Sequence, residues 1–167
     1  MKKQILKAIG GAALAILVLA VFAQVWVSAQ AQSGNEQGLI GSWDVQVTIR
    51  DCQTGTEFFS FSATNTYNQG GTTQESNLGP PGIVSLPAHG VWGHTRGRQY
   101  SAAYRGLVFA TDPNRTFLGT GVVRQAITLG RDGDTFTSTD RFVMLDPNGA
   151  VIPGSEACAT ETATRFQ

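Results

Sequence analysis

Gly41-Ser-Trp-Asp-Val-Gln-Val-Thr-Ile-Arg50 alternates without a break. Trp43, Val45, Val47 and Ile49 point to one side of an extended chain, and Ser42, Asp44, Gln46, Thr48 and Arg50 to the other. Successive side chains of a strand leave on opposite faces, so this is the pattern of a half-buried strand with one wet face. A second stretch repeats it more loosely. Phe117, Val123, Ile127 and Leu129 stand against Thr116, Thr120, Arg124 and Thr128.

Working outward, runs of strand length are separated by turn signals. These include Cys52-Gln-Thr-Gly55, Asn68-Gln-Gly-Gly71, Asp112-Pro-Asn114, Arg131-Asp-Gly-Asp134 and Asp146-Pro-Asn-Gly149. Gly, Asn and Asp tolerate positive φ and Pro fixes its own, so such clusters reverse the chain. Eight strands are predicted, over residues 42–50, 57–67, 72–77, 90–95, 99–110, 116–129, 134–145 and 156–166. The one long irregular connection is 78–89, where Pro80, Pro81 and Pro87 argue against a central strand. Beyond the N-terminal apolar run, no long stretch has helical periodicity. Consecutive strands with short connections predict an all-β, eight-stranded antiparallel up-and-down barrel, with a β-sandwich as the alternative. Apolar-in and polar-out is the reverse of a transmembrane barrel, whose outer face carries an apolar band about 25 Å tall.

A register argument supports closure. If the first and last strands pair antiparallel, the positions of opposite residues have a constant sum. Trp43 with Arg165 and Cys52 with Cys158 fit one ladder to within a diagonal step. Two cysteines in an exported chain read as one disulfide, Cys52–Cys158, the alternative being two buried thiols. A loop of that length is worth up to ~4.7 kcal/mol in closure entropy.

Gly41-Ser-Trp43 on the first strand, with Arg165 on the last, resembles the calycin superfamily of lipocalin-like and avidin-like barrels. In that group the indole of a G-x-W packs against an Arg of the last strand and closes one barrel end. The resemblance covers the two ends of the domain and the strand count, and it implies a small, mostly apolar ligand inside the barrel. Thr111-Asp112 is followed by Pro113 where a second lipocalin motif has an aromatic, and no helix is expected after the last strand. Both departures favour a shorter calycin-like barrel. The alternative role for Trp43 is a plain core anchor of a sandwich.

The N-terminus predicts export. Lys2, Lys3 and Lys7 precede an apolar run from Ala8 to Val27, and Ala29-Gln-Ala31 is a cleavage-type site. Residues 1–31 are expected to be a signal peptide (an uncleaved anchor is the alternative), 32–40 a disordered linker, and 41–167 one barrel domain. The expected location is secreted or periplasmic, with no membrane attachment after cleavage. Beyond residue 31 the chain carries nine Arg, no Lys and twelve acidic residues. That mildly acidic balance without a basic cluster argues against nucleic-acid binding.

Candidate chemistry is sparse. His89 and His94 are five apart, on opposite faces of a regular strand, so no metal site is predicted. No G-x-S-x-G is present, and Asp132, Asp134 and Asp146 read as solvated turn residues. No catalytic residue and no cofactor is assigned. The inferred inward faces carry aromatic and polar groups together. Phe59, Phe61, Phe117, Phe136 and Phe142 are expected to line an apolar cavity. Asn65, Tyr67, Tyr104, Asp140 and Glu161 are expected to orient a ligand there, since an eight-stranded barrel is just wide enough to hold one. The alternative is a dry core with a Glu161–Arg165 or Asp140–Arg165 pair. The expected function is binding of a small hydrophobic molecule. Its rivals are a cyclase- or isomerase-type enzyme on the same barrel and a structural or protein-binding module of the envelope.

Overall fold

A computed structural model describes residues 38–77, 79–80 and 82–166. The expected signal peptide and the first six residues of the expected linker lie outside them. The strands are β1 (Gly41–Arg50), β2 (Glu57–Tyr67), β3 (Thr72–Asn77), β4 (Ile83–Ser85), β5 (Ala88–Arg96), β6 (Gln99–Ala110), β7 (Phe117–Leu129), β8 (Thr135–Leu145) and β9 (Ala157–Arg165). All pairings are antiparallel. β1-β2-β3-β5-β6-β7-β8-β9 run in sequence, and β9 pairs back onto β1 to close an eight-stranded up-and-down barrel. Closure leaves no long unpaired edge.

The β1–β9 ladder runs from Trp43↔Arg165 to Arg50↔Cys158 without a shift. Cys52 follows two residues after Arg50 and reaches Cys158 on the diagonal, with the two Cα atoms 5.0 Å apart and the disulfide formed. The register expected from the two chain ends is therefore the one observed.

The ninth strand corrects the expectation of an irregular connection over 78–89. Ile83–Ser85 pairs with Val108–Ala110, on the same edge of β6 that β5 occupies further along. Pro87 has no N–H to give and separates the two segments, while Leu86 N–H still reaches Leu107 O at 3.0 Å. The prolines interrupt this edge without abolishing it.

Residues 38–40, expected in the linker, belong to the barrel. Leu39 is fully buried and its carbonyl accepts from Trp43 Nε1 at 3.0 Å. An apolar side chain that plugs a barrel end has no reason to stay in water. The outer wall is polar along the β8–β9 ladder, where Thr137 faces Thr162 and Thr139 faces Thr160, the reverse of a lipid-facing strand pair.

Candidate functional site

The barrel interior is divided along its axis. The half near Trp43 is packed solid. Trp43, Tyr67, Phe136 and Ile127 are all nearly or fully buried, and Phe136 meets Trp43 edge-on with ring centres 5.0 Å apart. Arg165 seals this end. Its guanidinium lies over the Trp43 ring at 4.2 Å and donates to the carbonyls of Ile40, Gly38 and Gly133 at 2.6, 2.9 and 2.6 Å. Its ion pair is with Asp134 at 3.1 Å. The expected alternative of a Glu161–Arg165 or Asp140–Arg165 pair is thus overturned, because Arg165 sits at the strand end while both acids lie deeper.

Above this plug comes a layer of buried polar groups. Tyr67 OH donates to Gln125 Oε1 at 2.8 Å, and Asn65 Nδ2 reaches Tyr67 OH at 3.4 Å. Gln125 Nε2 donates to Glu161 and, at 3.3 Å, to Ser138 Oγ. Ser138 Oγ donates to Asp140 Oδ1 at 2.9 Å. Glu75, on the far wall from Asp140, accepts from Asn77 Nδ2. Among the described residues no N–H or O–H donor reaches Asp140 Oδ2, although Asp140 is only 5% exposed.

The other half is hollow. A cavity of about 510 Å³ opens between the C-terminal end of β1, the start of β2, β4, the end of β8 and the start of β9. Its walls are apolar, with Val47, Ile49, Phe61, Val123, Phe142 and Met144 among them. Its floor is acidic, made by Glu75, Tyr104, Asp140 and Glu161. Phe58 stands at the mouth, 61% exposed, beside Phe59, which stacks on Phe61 with centroids 6.0 Å apart. The size and the apolar lining with a few convergent polar groups suit a small-molecule site.

Burial controls the floor's charge. Loss of hydration pushes the Asp140 carboxyl up to about 7, against the favourable bond from Ser138. Glu161 is pushed well above the usual carboxylate range by burial first and then by the Asp140 and Glu75 charges. Burial also raises Glu75. Among the described residues no basic side chain lines the cavity to oppose these shifts.

Of the ten side chains expected to form a binding site, Phe59, Phe61, Tyr104, Asp140, Phe142 and Glu161 line the cavity. Asn65 and Tyr67 belong to the polar layer beneath it, and Phe136 to the packed plug. Phe117 is outside, 38% exposed and packed on Phe109 at 5.3 Å. The ladder slips between Val108 and Phe109, where Gly119 takes φ +140°. That bulge turns Phe117 away from the face shared by Gly121, Val123 and Gln125. His89 and His94 are exposed, and His94 Nε2 bonds Gly97 O at 2.8 Å, so neither reaches the cavity.

The sequence reading missed Glu75 and Gln125. Gln125 was visible in principle, standing between Val123 and Ile127 on an alternating inward face. Glu75 was not, because Thr72-Thr-Gln-Glu-Ser-Asn77 contains no apolar residue to mark its inner side. No protein family, no curated protein and no solved structure matches this chain.

Proposed function

We propose that this is an exported, calycin-like barrel that binds one small, mostly apolar molecule in the open half of its interior. The observation that carries the reading is the half-hollow core. A barrel of this strand number can be filled entirely by side chains, yet here the aromatic walls enclose about 510 Å³ above an intact polar floor. The Trp43–Arg165 stack supports kinship with the calycins. The disulfide fits an oxidising compartment, and the N-terminal pattern adds export. The test is mass spectrometry of the exported protein, native and then denatured without reductant. A native mass exceeding the denatured one by a discrete small molecule is expected. A protein that is empty, and that also fails to take up apolar probes, would return the barrel to a structural role.

A second reading has its own observation. Asp140, its carboxyl pushed up to about 7, can hold a proton near neutral pH where it faces an apolar cavity, beside Glu161, which burial raises in the same sense. This is the arrangement of a general acid, and it favours an isomerase- or cyclase-type activity in the same cavity. Recovery of a bound molecule chemically changed by the wild type, and unchanged by Asp140→Asn, would establish it.

A further inference from the structure

The floor of the cavity is chemically one-sided. Glu75, Asp140 and Glu161 converge there from β3, β8 and β9, and Glu156 stands nearer the mouth. Among the described residues no Arg, Lys or His lines the cavity. Every hydrogen-bond donor directed at the Asp140–Glu161 pair comes from Gln125 or Ser138, on the packed side. Asp140 Oδ2, which no donor among the described residues reaches, belongs to a side chain that lines the cavity. A buried oxygen left in this state is costly unless something supplies a proton or a donor. The protein alone has one remedy, a proton held between the two carboxyls.

We infer that the occupant of this cavity is an amphiphilic amine, an apolar or aromatic body carrying one ammonium group that docks on Asp140 and Glu161. The inference rests on the binding function proposed above and names its ligand class. An ammonium brings three donors and no acceptor, which matches the acceptor oxygens of the Asp140 and Glu161 carboxylates. Its charge replaces the shared proton. The aromatic walls around Phe61 and Phe142 take the apolar body. A carboxylate ligand such as a fatty acid finds no cation there to pair with, and once the floor ionises above neutrality it meets like charge.

Because the ammonium displaces a proton, its affinity rises with pH through neutrality, while that of a neutral ligand stays flat. The ionisable groups facing Asp140 are Glu161 beside it, Glu75 across from β3, and the Tyr67 and Tyr104 phenols from β2 and β6. β1 and β7 present Val47 and Gln125, and β5 presents Ala88. The carboxyls are therefore the groups that couple binding to pH.

The experiment uses three probes of one shape, naphthylmethylamine, naphthylmethanol and naphthoate, titrated by calorimetry into the oxidised protein at about pH 7.5. The amine is expected to bind about tenfold or more tighter than the alcohol, and naphthoate weakest. Asp140→Asn should remove the amine's advantage over the alcohol. Glu161→Gln gives the same reading if Asp140→Asn does not fold. Equal binding of amine and alcohol, or a preference for naphthoate, overturns the amine assignment and leaves the binding function standing. Failure of all three probes to bind overturns both.

Discussion

Arg165 stands directly opposite Trp43 in the β1–β9 ladder, its guanidinium carbon 4.2 Å from the centre of the indole ring. The same group satisfies three backbone carbonyls, from Gly38, Ile40 and Gly133, that its loss would leave without this donor. A lysine offers one compact point of charge instead of a planar fork that stacks and donates in several directions. Arg165→Lys should therefore lower stability by about 2–3 kcal/mol, nearly as much as Arg165→Ala. Urea unfolding followed by tryptophan fluorescence measures this. An unchanged midpoint for Arg165→Lys would mean that charge alone, not the stacked fork, seals the barrel end.

Cys52–Cys158 ties the chain just after β1 to the start of β9 at the open end, far from the Trp43 plug. Its two cysteines are separated by 106 positions in the sequence. Replacing both cysteines by Ala should cost about 2–5 kcal/mol. The same change should loosen the mouth and weaken binding of an apolar probe, while the near-ultraviolet signal of the buried Trp43 persists. Loss of that signal with no change in probe affinity would show that the bridge steadies the plug and not the mouth.

The buried acids set a pH dependence opposite to that of most folded proteins. Asp140 titrates at 3.8 when unfolded and at about 7 in the barrel, and Glu161 and Glu75 are raised in the same sense. Between those values the native state holds more protons, so stability falls as pH rises. The exposed turn carboxylates Asp51, Asp112 and Asp132 act the other way, being lowered by bonds to their own loops. Their contribution is lost only below the unfolded value of 3.8. Maximum stability is therefore expected at mildly acidic pH, with a loss on the order of 3 kcal/mol towards pH 8. Thermal melts across that range should show it, and Asp140→Asn should flatten the slope. A barrel that melts higher at pH 8 than at pH 5 would contradict this account.

What was legible in the sequence followed from period and parity. The clean alternation of Trp43, Val45, Val47 and Ile49 defined an inner face, and counting from both ends gave the closing ladder. The six cavity residues found in advance lie on strands where aromatic and polar groups share one parity. The misses have physical causes. Parity carries no depth along the barrel axis, so Phe136 in the plug and Phe142 in the cavity read alike. A bulge resets parity, and Phe117 lies on the wrong side of one. Ile83–Ser85 is too short to show alternation among its prolines.

That difference between Phe61 and Phe117 makes the cavity testable with two substitutions of identical chemistry. Both residues were expected inside the barrel, and both lose the same ring on mutation to Ala. Phe61 lines the cavity and stacks on Phe59 at 6.0 Å, so Phe61→Ala removes wall surface that an apolar ligand would cover. At about 25 cal/mol per Å² of lost contact, the affinity of a naphthyl probe should fall by roughly tenfold. Phe117 packs on Phe109 outside the cavity, so Phe117→Ala should leave probe affinity within about twofold while costing some stability. Fluorescence titration of the alcohol probe separates the two, since its head carries no charge to respond to the acidic floor. If the two variants bind the probe equally, the open half of the barrel is not where the ligand sits. Weakening by Phe117→Ala alone would move the site to the outer wall, beside Phe109.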